Sequence, residues 1–363
     1  MNLTLHVTNN CNLNCEYCFV ERDSAKMSRE VAFAAVDMAI QDKSPTGMLF
    51  YGGEPMLERQ LIYDVVEYTK SFKHKFSYKI TTNGTLLDEE FLQFARDINM
   101  SIGFSHDGPS QDICRTFLDG GESSSVLDDK IALVLKYIPY AIGMSVIDPS
   151  TVHNAAGTAE YLFKRGFRYI SLNLNYGGKW TQENFNILKY EYEKMAELYI
   201  KWTRAEEKFY LSPFDSKIFA HIKGKNYNAD RRRMAKNQPS IGPCGGVFTG
   251  SRSIKDDTFR IGDVFAGIDR AKQDFIFAQG EPPEPCQNCA LLQRCNYAYD
   301  SMDSRNGQII NGILSAQCIH EQLITPIADH VAETLYSENN ALFIHKHYNE
   351  AYPLASLMED RDV

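Results

Sequence analysis

The sequence predicts an α/β fold: a run of parallel strands with helices outside, followed by a loop-rich segment stapled by metal. Three observations predict it. Short apolar runs alternate with amphipathic segments from Leu3 to about Arg204. From about Leu211 to Gln317 the chain carries many Gly, Pro, Asn and Asp residues and few periodic runs. Nine cysteines, at 11, 15, 18, 114, 244, 286, 289, 295 and 318, fall mostly into two short-spaced groups, one in each region.

Strands are expected at residues 3–8, 48–51, 78–82, 101–106, 142–147 and 169–174, from their short apolar runs. Helices are expected between them at 28–41, 57–71, 88–96, 125–137 and 154–165. Val31, Ala35, Met38 and Ala39 show the three- and four-residue spacing of an amphipathic helix, and Ser28 and Asp88 stand where N-caps belong. Six such βα units imply a parallel sheet, either an open sheet or a partial barrel. A longer helix at 181–206 closes this region, and a final helix at 321–336 leads into an aromatic tail at 343–352. The expected division is residues 1–206, a bridge at 207–243, a cysteine-bearing segment at 244–320, and a C-terminal helix and tail at 321–363. A segment of about 100 residues with few periodic runs makes little core of its own, so an inorganic staple is expected.

With 44% apolar and 12% aromatic residues in 363, wholesale disorder is ruled out. The 38 basic and 47 acidic side chains give a net charge of −9, which argues against nucleic acid as the main partner. The basic clusters at 70–79 and 231–233 are short, flanked by acids, and read as solvated surface. No stretch approaches the ~18 apolar residues of a membrane span. Residues 1–10 lack a basic region or a long apolar run, so a cytoplasmic chain is expected. In a reducing compartment clustered thiols read as metal ligands or catalysts rather than disulfides.

The first group, Cys11-Asn-Leu-Asn-Cys15-Glu-Tyr-Cys18-Phe19, directly follows the first expected strand. Three thiolates can hold three irons of a cubane and leave the fourth iron open. A zinc reading needs a fourth ligand, and His6 would have to supply it. The end of a strand in a βα array is where barrel active sites sit. With Tyr17 just before the third cysteine, the loop resembles the signature of the radical S-adenosylmethionine (SAM) superfamily. That resemblance implies a partial (β/α)6 barrel and a 4Fe–4S cluster whose open iron chelates SAM. An electron from an external donor of flavodoxin or ferredoxin type then cleaves SAM to a 5′-deoxyadenosyl radical, which abstracts a hydrogen atom.

Other expected strand ends agree. Tyr51-Gly52-Gly53-Glu54-Pro55 resembles the superfamily's GGEP motif. Its glycines let the backbone approach a ligand closely, and Glu54 can accept from the SAM ammonium. Thr81-Thr82-Asn83-Gly84 and Ser105-His106-Asp107-Gly108-Pro109 are similar to motifs of the sulfatase-maturase-like branch. The resemblance implies a SAM site built from Tyr17, Phe19, Gly52, Gly53, Glu54, Pro55, Asn83 and Ser105. Arg115, Ser145 and Leu174 are carried over for the carboxylate, ribose and adenine of SAM. Asp107, Cys114 and Cys244 are the candidate catalytic groups, although a lone cysteine is more often a small packed hydrophobe.

The second group is Cys286-Gln-Asn-Cys289-Ala-Leu-Leu-Gln-Arg-Cys295, with Cys318 beyond. Its spacing also allows a four-cysteine zinc site. Behind a radical SAM barrel it resembles the SPASM extension, whose full pattern of seven cysteines holds two auxiliary clusters. Cys244 matches the first position, and Cys286, Cys289, Cys295 and Cys318 match the third, fourth, fifth and seventh. The second falls at about Asp263 and the sixth at Tyr299. One auxiliary 4Fe–4S cluster on the four retained cysteines is therefore implied. Cys244 is then spare, or shares a second cluster with Asp263 and Tyr299.

SPASM-bearing enzymes mostly act on peptides or proteins, so a peptide substrate is implied. The run from Cys318-Ile-His-Glu321 through His347-Tyr-Asn, Tyr352-Pro and Glu359-Asp360 further resembles maturases of Cys-rich ribosomal peptides, which install cross-links. Sulfatase-maturase-like oxidation of one side chain, epimerisation, and a non-catalytic iron–sulfur carrier are the alternatives, and the intact GGEP loop favours an enzyme. The cluster loop begins at residue 11, so no leader-binding domain is expected ahead of it. Leader recognition is then expected from a separate protein or from the bridge and tail, unless the substrate is small.

Overall fold

A computed structural model describes residues 1–224, 237–278, 284–295, 309–310 and 313–349. The expectations placed on residues 231–233, Tyr299, Tyr352-Pro and Glu359-Asp360 lie outside the described residues. In chain order the strands are β1 (Asn2–Thr8), β2 (Leu13–Cys15), β3 (Thr46–Gly52), β4 (Phe76–Thr82), β5 (Ser101–Ser105), β6 (Arg115–Phe117) and β7 (Ile142–Ile147). β8 (Tyr169–Leu174), β9 (Tyr210–Ser212), β10 (Ser240–Ile241), β11 (Gly246–Phe248), β12 (Arg260–Asp263) and β13 (Gly267–Ile268) follow. The helices are α1 (Arg29–Ile40), α2 (Arg59–Thr69), α3 (Glu89–Asp97), α4 (Gln111–Cys114), α5 (Ser124–Tyr137) and α6 (Ala155–Lys164). After these come α7 (Gln182–Arg204), α8 (Phe214–Lys223), α9 (Arg270–Ala278), α10 (Ser315–Ser337) and α11 (Ala341–Tyr348).

One 11-stranded sheet organises the chain, in the order β13-β12-β11-β10-β1-β3-β4-β5-β7-β8-β9. All six expected strands are present, and every pair from β1 through β9 is parallel. The sheet is open, with edges at β9 and β13. Period-two burial shows why: Thr46, Met48, Phe50 and Gly52 of β3 are buried while the residues between them are half-buried. Leu3, Leu5 and Val7 of β1 join that core, which α1 covers with Val31, Ala32, Ala35, Val36 and Ala39. Ser28 caps α1 by accepting from Val31 N, and Asp88 caps α3 by accepting from Phe91 N.

The stretch expected to be loops contains more structure. β10 to β13 extend the sheet from β1, with Thr4 opposite Ser240 and Leu5 opposite Ile241 in parallel register. These strands have two to four residues, too few for a period to show in sequence. Helix α8 also lay unseen, because its apolar pair Phe214 and Ile218 is interleaved with a buried lysine, Lys217. Helix α10 starts earlier than expected, so Cys318 lies inside it, and it runs through Pro326. In the basic cluster at 70–79, Lys70, Lys73 and Lys75 are exposed, but Lys79 is half-buried in β4.

The strands deliver their loops to one edge of the sheet. There the β3 end is seated directly on the chain leading to Cys11. Gly53 N donates to Thr8 O at 2.8 Å, and Glu54 N donates to Asn10 O at 2.8 Å. A Cβ on Gly53 would lie 2.0 Å from Asn10 O, and one on Gly52, at φ +130°, would lie 2.2 Å from Thr8 O. Close approach of neighbouring main chain requires glycine here.

Since main chain yields less than a side chain, Gly53→Ala should cost about 1–3 kcal/mol. Gly157→Ala, inside α6 with only Pro109 Cγ at 4.0 Å, should be neutral or stabilise by about 0.5–1 kcal/mol. Urea unfolding of the iron-free chain checks both, and equal effects at the two positions would reject the seat.

Candidate functional site

The Cys11–Cys18 loop is partly a strand. β2 pairs antiparallel with β6, placing Leu13 opposite Phe117 and Cys15 opposite Arg115. Cys11 and Cys15 are half-buried, Cys18 is exposed, and all three are free thiols. Cys11 Sγ accepts from Leu13 N at 3.4 Å and from Asn83 Nδ2 at 3.7 Å. Burial pushes the Cys11 thiol up to about 11. Arg115 Nη1 lies 3.9 Å from Cys15 Sγ, with its guanidinium over the Tyr17 ring at 5.3 Å. Among the described residues no three His, Cys, Asp or Glu side chains converge closely enough to share one metal ion. A zinc site needs its sulfurs within about 2.3 Å of a single ion, whereas a cubane gives each thiolate its own iron. Cys15 and Cys18 each add to the rise of the Cys11 thiol, so the three sulfurs lie within electrostatic reach of one another. His6 is buried on β1 with its ring centroid 5.2 Å from that of Tyr51 in an edge-on arrangement, and its Nε2 has no hydrogen-bond partner.

Glu54 has no solvent exposure. Its Oε1 accepts from Thr82 Oγ1 at 2.6 Å and Met56 N at 3.0 Å, and its Oε2 accepts from Asn83 N at 2.7 Å. Burial pushes its pKa up to about 6, against the pull of those hydrogen bonds. Among the described residues no cation pairs with it within 4 Å. A buried carboxylate so placed fits a cationic ligand, which would supply the missing charge. Asn83 joins this carboxylate to the cluster loop: its N–H serves Glu54, while its side chain donates to Cys11 and to Asn12 Oδ1 at 2.9 Å. Thr82 was within the quoted motif but carried no expected role. Its hydroxyl is one of the three groups that hold Glu54.

Asp107 is buried and fully engaged. Oδ1 accepts from Ser145 Oγ at 2.7 Å and Val146 N at 3.0 Å, while Oδ2 accepts from Arg115 Nε at 2.9 Å and from the Tyr17 hydroxyl. Four donors occupy both of its oxygens, so its surroundings suit an organising anion. Arg115 and Ser145, carried over as SAM contacts, are thus first of all partners of Asp107. Cys114 is buried behind the loop, where burial pushes its thiol up to about 11 and Ser150 Oγ lies 3.8 Å away. Those are the surroundings of a packed thiol, not of a nucleophile.

Phe19 stacks on Tyr51 with centroids 6.1 Å apart, and the Arg252 guanidinium lies over the Phe19 ring, 4.9 Å from its centroid. Pro55 opens a buried turn after Glu54, Ser105 ends β5, and Leu174 is buried at the end of β8. The exposed Cys244 occupies the turn between β10 and β11, at the same sheet edge as the Cys11 loop because β10 runs parallel to β1. Asp263 lies opposite Gly246 on the next strand and pairs with Arg260 at 3.0 Å.

The second group also assembles. Cys286, Cys295 and Cys318 are half-buried and Cys289 is exposed. Residues 286–295 form successive turns, with Cys289 N donating to Cys286 O at 3.0 Å and Cys295 N to Leu291 O at 2.7 Å. Helices α8 and α10 clasp this coil: Lys217 Nζ donates to Arg294 O at 3.2 Å and pairs with buried Glu321, while Arg294 Nη1 donates to Asp329 Oδ2 at 2.8 Å. Burial pushes the Cys295 thiol up to about 12, with Glu321 adding to the rise and Lys217 opposing it. Sequence reasoning missed Lys217; nothing in its local pattern marks a lysine for burial.

Residues 5–162 match the profile of the Radical SAM superfamily. The Methanocaldococcus jannaschii protein MJ0907 is 31% identical over 177 residues, covering 47% of this chain and 62% of that protein. An Archaeoglobus fulgidus protein is 27% identical over 29% of this chain and 25% of its own length. The chain thus spans less than two thirds of either relative. A cysteine-type anaerobic sulfatase-maturating enzyme of Clostridium perfringens is 22% identical over 78% of this chain and 84% of that one. Among solved structures, anSMEcpe with bound AdoMet superposes with a TM-score of 0.75 at 18% identity, over 92% of this chain and 99% of that one. Streptococcus suis SuiB bound to its precursor peptide SuiA gives a TM-score of 0.59 at 14% identity, over 84% and 74%. The fold is therefore common to these enzymes well beyond residue 162. Enzymes of the matched superfamily use SAM and a 4Fe–4S cluster. The Radical SAM superfamily is thus the family that residues 5–162 of this chain match.

Proposed function

We propose that the chain is a SAM-dependent radical enzyme that modifies a peptide, installing a thioether or carbon–carbon cross-link. The observation that carries the SAM reading is the buried carboxylate of Glu54, without an ion-pair partner among the described residues and joined through Asn83 to Cys11. Cys11, Cys15 and Cys18 would hold the first cluster and Glu54 would accept from the SAM ammonium. When bound, that cluster and SAM supply reductive SAM cleavage and hydrogen-atom abstraction. The protein's part is to hold the ligand. Asp107 acts as a positioning residue, fixing Arg115, Tyr17 and Ser145 around the loop. Arg115 keeps its second nitrogen toward Cys15, where it can also meet a carboxylate. Cys286, Cys289, Cys295 and Cys318 would hold one auxiliary 4Fe–4S cluster, within the segment 244–320, and an external reductant supplies the electrons.

A peptide substrate is supported by SuiB with its precursor peptide and by anSMEcpe with the Cp18Cys peptide. Oxidation of a single side chain is the second reading, favoured by a fold match that spans 99% of anSMEcpe. Mass spectrometry of a genomically adjacent peptide coexpressed with the enzyme separates them. A cross-link removes two hydrogens and blocks fragmentation between the joined residues, whereas an oxidised side chain carries a carbonyl that reacts with hydroxylamine. Deuterium uptake without mass loss would instead mean epimerisation.

The anaerobically reduced protein should produce 5′-deoxyadenosine from SAM, and the Cys11→Ala/Cys15→Ala/Cys18→Ala chain should not. Iron should fall from about eight to about four per chain in that variant, four for each cubane. Persistent 5′-deoxyadenosine would reject the assignment, and about twelve irons would mean that Cys244 shares a further cluster.

Glu54→Ala should weaken SAM binding roughly 10- to 150-fold, the worth of a charge-assisted bond of about 1.5–3 kcal/mol. A cationic ligand selects the ionised carboxylate, so protonation competes with binding. With the Glu54 pKa at about 6, SAM affinity should hold steady above that pH and fall by up to about tenfold per unit below it. Equilibrium dialysis of the cluster-loaded protein across pH 5–8 reads this. A flat profile would remove Glu54 from the site.

A further inference from the structure

Lys217 and Glu321 form an ion pair whose side chains are 1% and 2% exposed. Such a pair contributes little net stability compared with two packed apolar residues, because both charges give up water. Glu321 Oε1 moreover has no hydrogen-bond partner. The pair's position is more telling than its adhesion. Lys217 Nζ donates at 3.2 Å to the carbonyl of Arg294, the residue bonded to Cys295. Glu321 lies three residues after Cys318 on α10, one turn away on the same face. A buried cation and a buried anion are thus each set beside one of the four thiols. We propose that this pair sets the reduction potential of the cluster held by Cys286, Cys289, Cys295 and Cys318, Lys217 favouring the reduced form and Glu321 the oxidised form. The proposal rests on the reading that those thiols hold a 4Fe–4S cluster. Reduction adds one electron, supplied by dithionite, to an already anionic group. A nearby positive charge in a poorly screened site stabilises the added charge, and a negative one opposes it.

The test is an anaerobic dithionite titration followed by electron paramagnetic resonance. It uses the full chain carrying Cys11→Ala, Cys15→Ala and Cys18→Ala, so that only the auxiliary signal is present. Lys217→Met should leave about tenfold less reduced cluster at a fixed potential, Glu321→Gln about tenfold more, and the Lys217→Met/Glu321→Met chain should return close to the parent. Arg294 and Asp329 still tie the coil to α10 in each variant. Shifts of the same sign in the two single variants, or none with iron retained, would overturn the proposal. Should Lys217→Met lose its iron, Glu321→Gln decides alone, and an unmoved or lowered potential there would overturn it. Zinc in place of iron in the parent chain would refute the cluster reading itself and the proposal with it.

Discussion

One buried carboxylate holds the site together. Asp107, 2% exposed, receives donors from the cluster loop through Tyr17, from β6 through Arg115, and from β7 through Ser145 and Val146. Hydrogen bonds to a charged group contribute about 1.5–3 kcal/mol each, and an ionised carboxylate buried without them costs several kcal/mol. The anion and its donors therefore require one another. Asp107 is in turn fixed from outside: its N–H donates to Gln111 Oε1 at 2.8 Å, and its carbonyl accepts from Thr158 Oγ1 at 3.0 Å. Loops at strand ends are ordinarily the most variable part of an α/β fold. This one is held near its start by the Gly53–Asn10 contact and near its end by Tyr17.

The parallel sheet was legible because its six strands and five helices are long enough to display their periods. Ile142–Ile147 and Tyr169–Leu174 have the expected bounds, and the caps at Ser28 and Asp88 do what their side chains allow. The strand-end motifs were legible for a different reason, since cysteine spacing and a Gly-Gly-Glu run survive as patterns of identity. What sequence could not show is which partner each motif residue finds. Asp107 read as a catalytic group, but its four donors come from positions 17, 115, 145 and 146, none of them a sequence neighbour. Nor could sequence show that Gly52 and Gly53 are packed against the main chain of Thr8 and Asn10.

The stretch that looked like loops is divided between the two ends of the sheet. Residues 240–268 continue it beyond β1, while the coil carrying Cys286 to Cys295 is gripped by α8, which follows edge strand β9, and by α10. Neither part has an amphipathic period of its own to read. Their order comes from hydrogen bonds to a pre-existing sheet edge and from ion pairs to two helices, which are long-range facts. No described helix is long and apolar enough to cross a membrane.

The pairing of β2 with β6 gives the first cysteine motif a mechanical meaning. Leu13 and Cys15 are alternate residues of one short strand, locked opposite Phe117 and Arg115. Side chains on a strand change face at every residue. One extra residue between Leu13 and Cys15 would keep three thiols in the sequence but turn Cys15 onto the opposite face, away from Arg115. Two extra residues would restore the face but lengthen the span from Cys11. The spacing of Leu13 and Cys15 is thus a parity rule set by the pleat. Any lineage that relaxed it would have to give up the pairing of β2 with β6 as well.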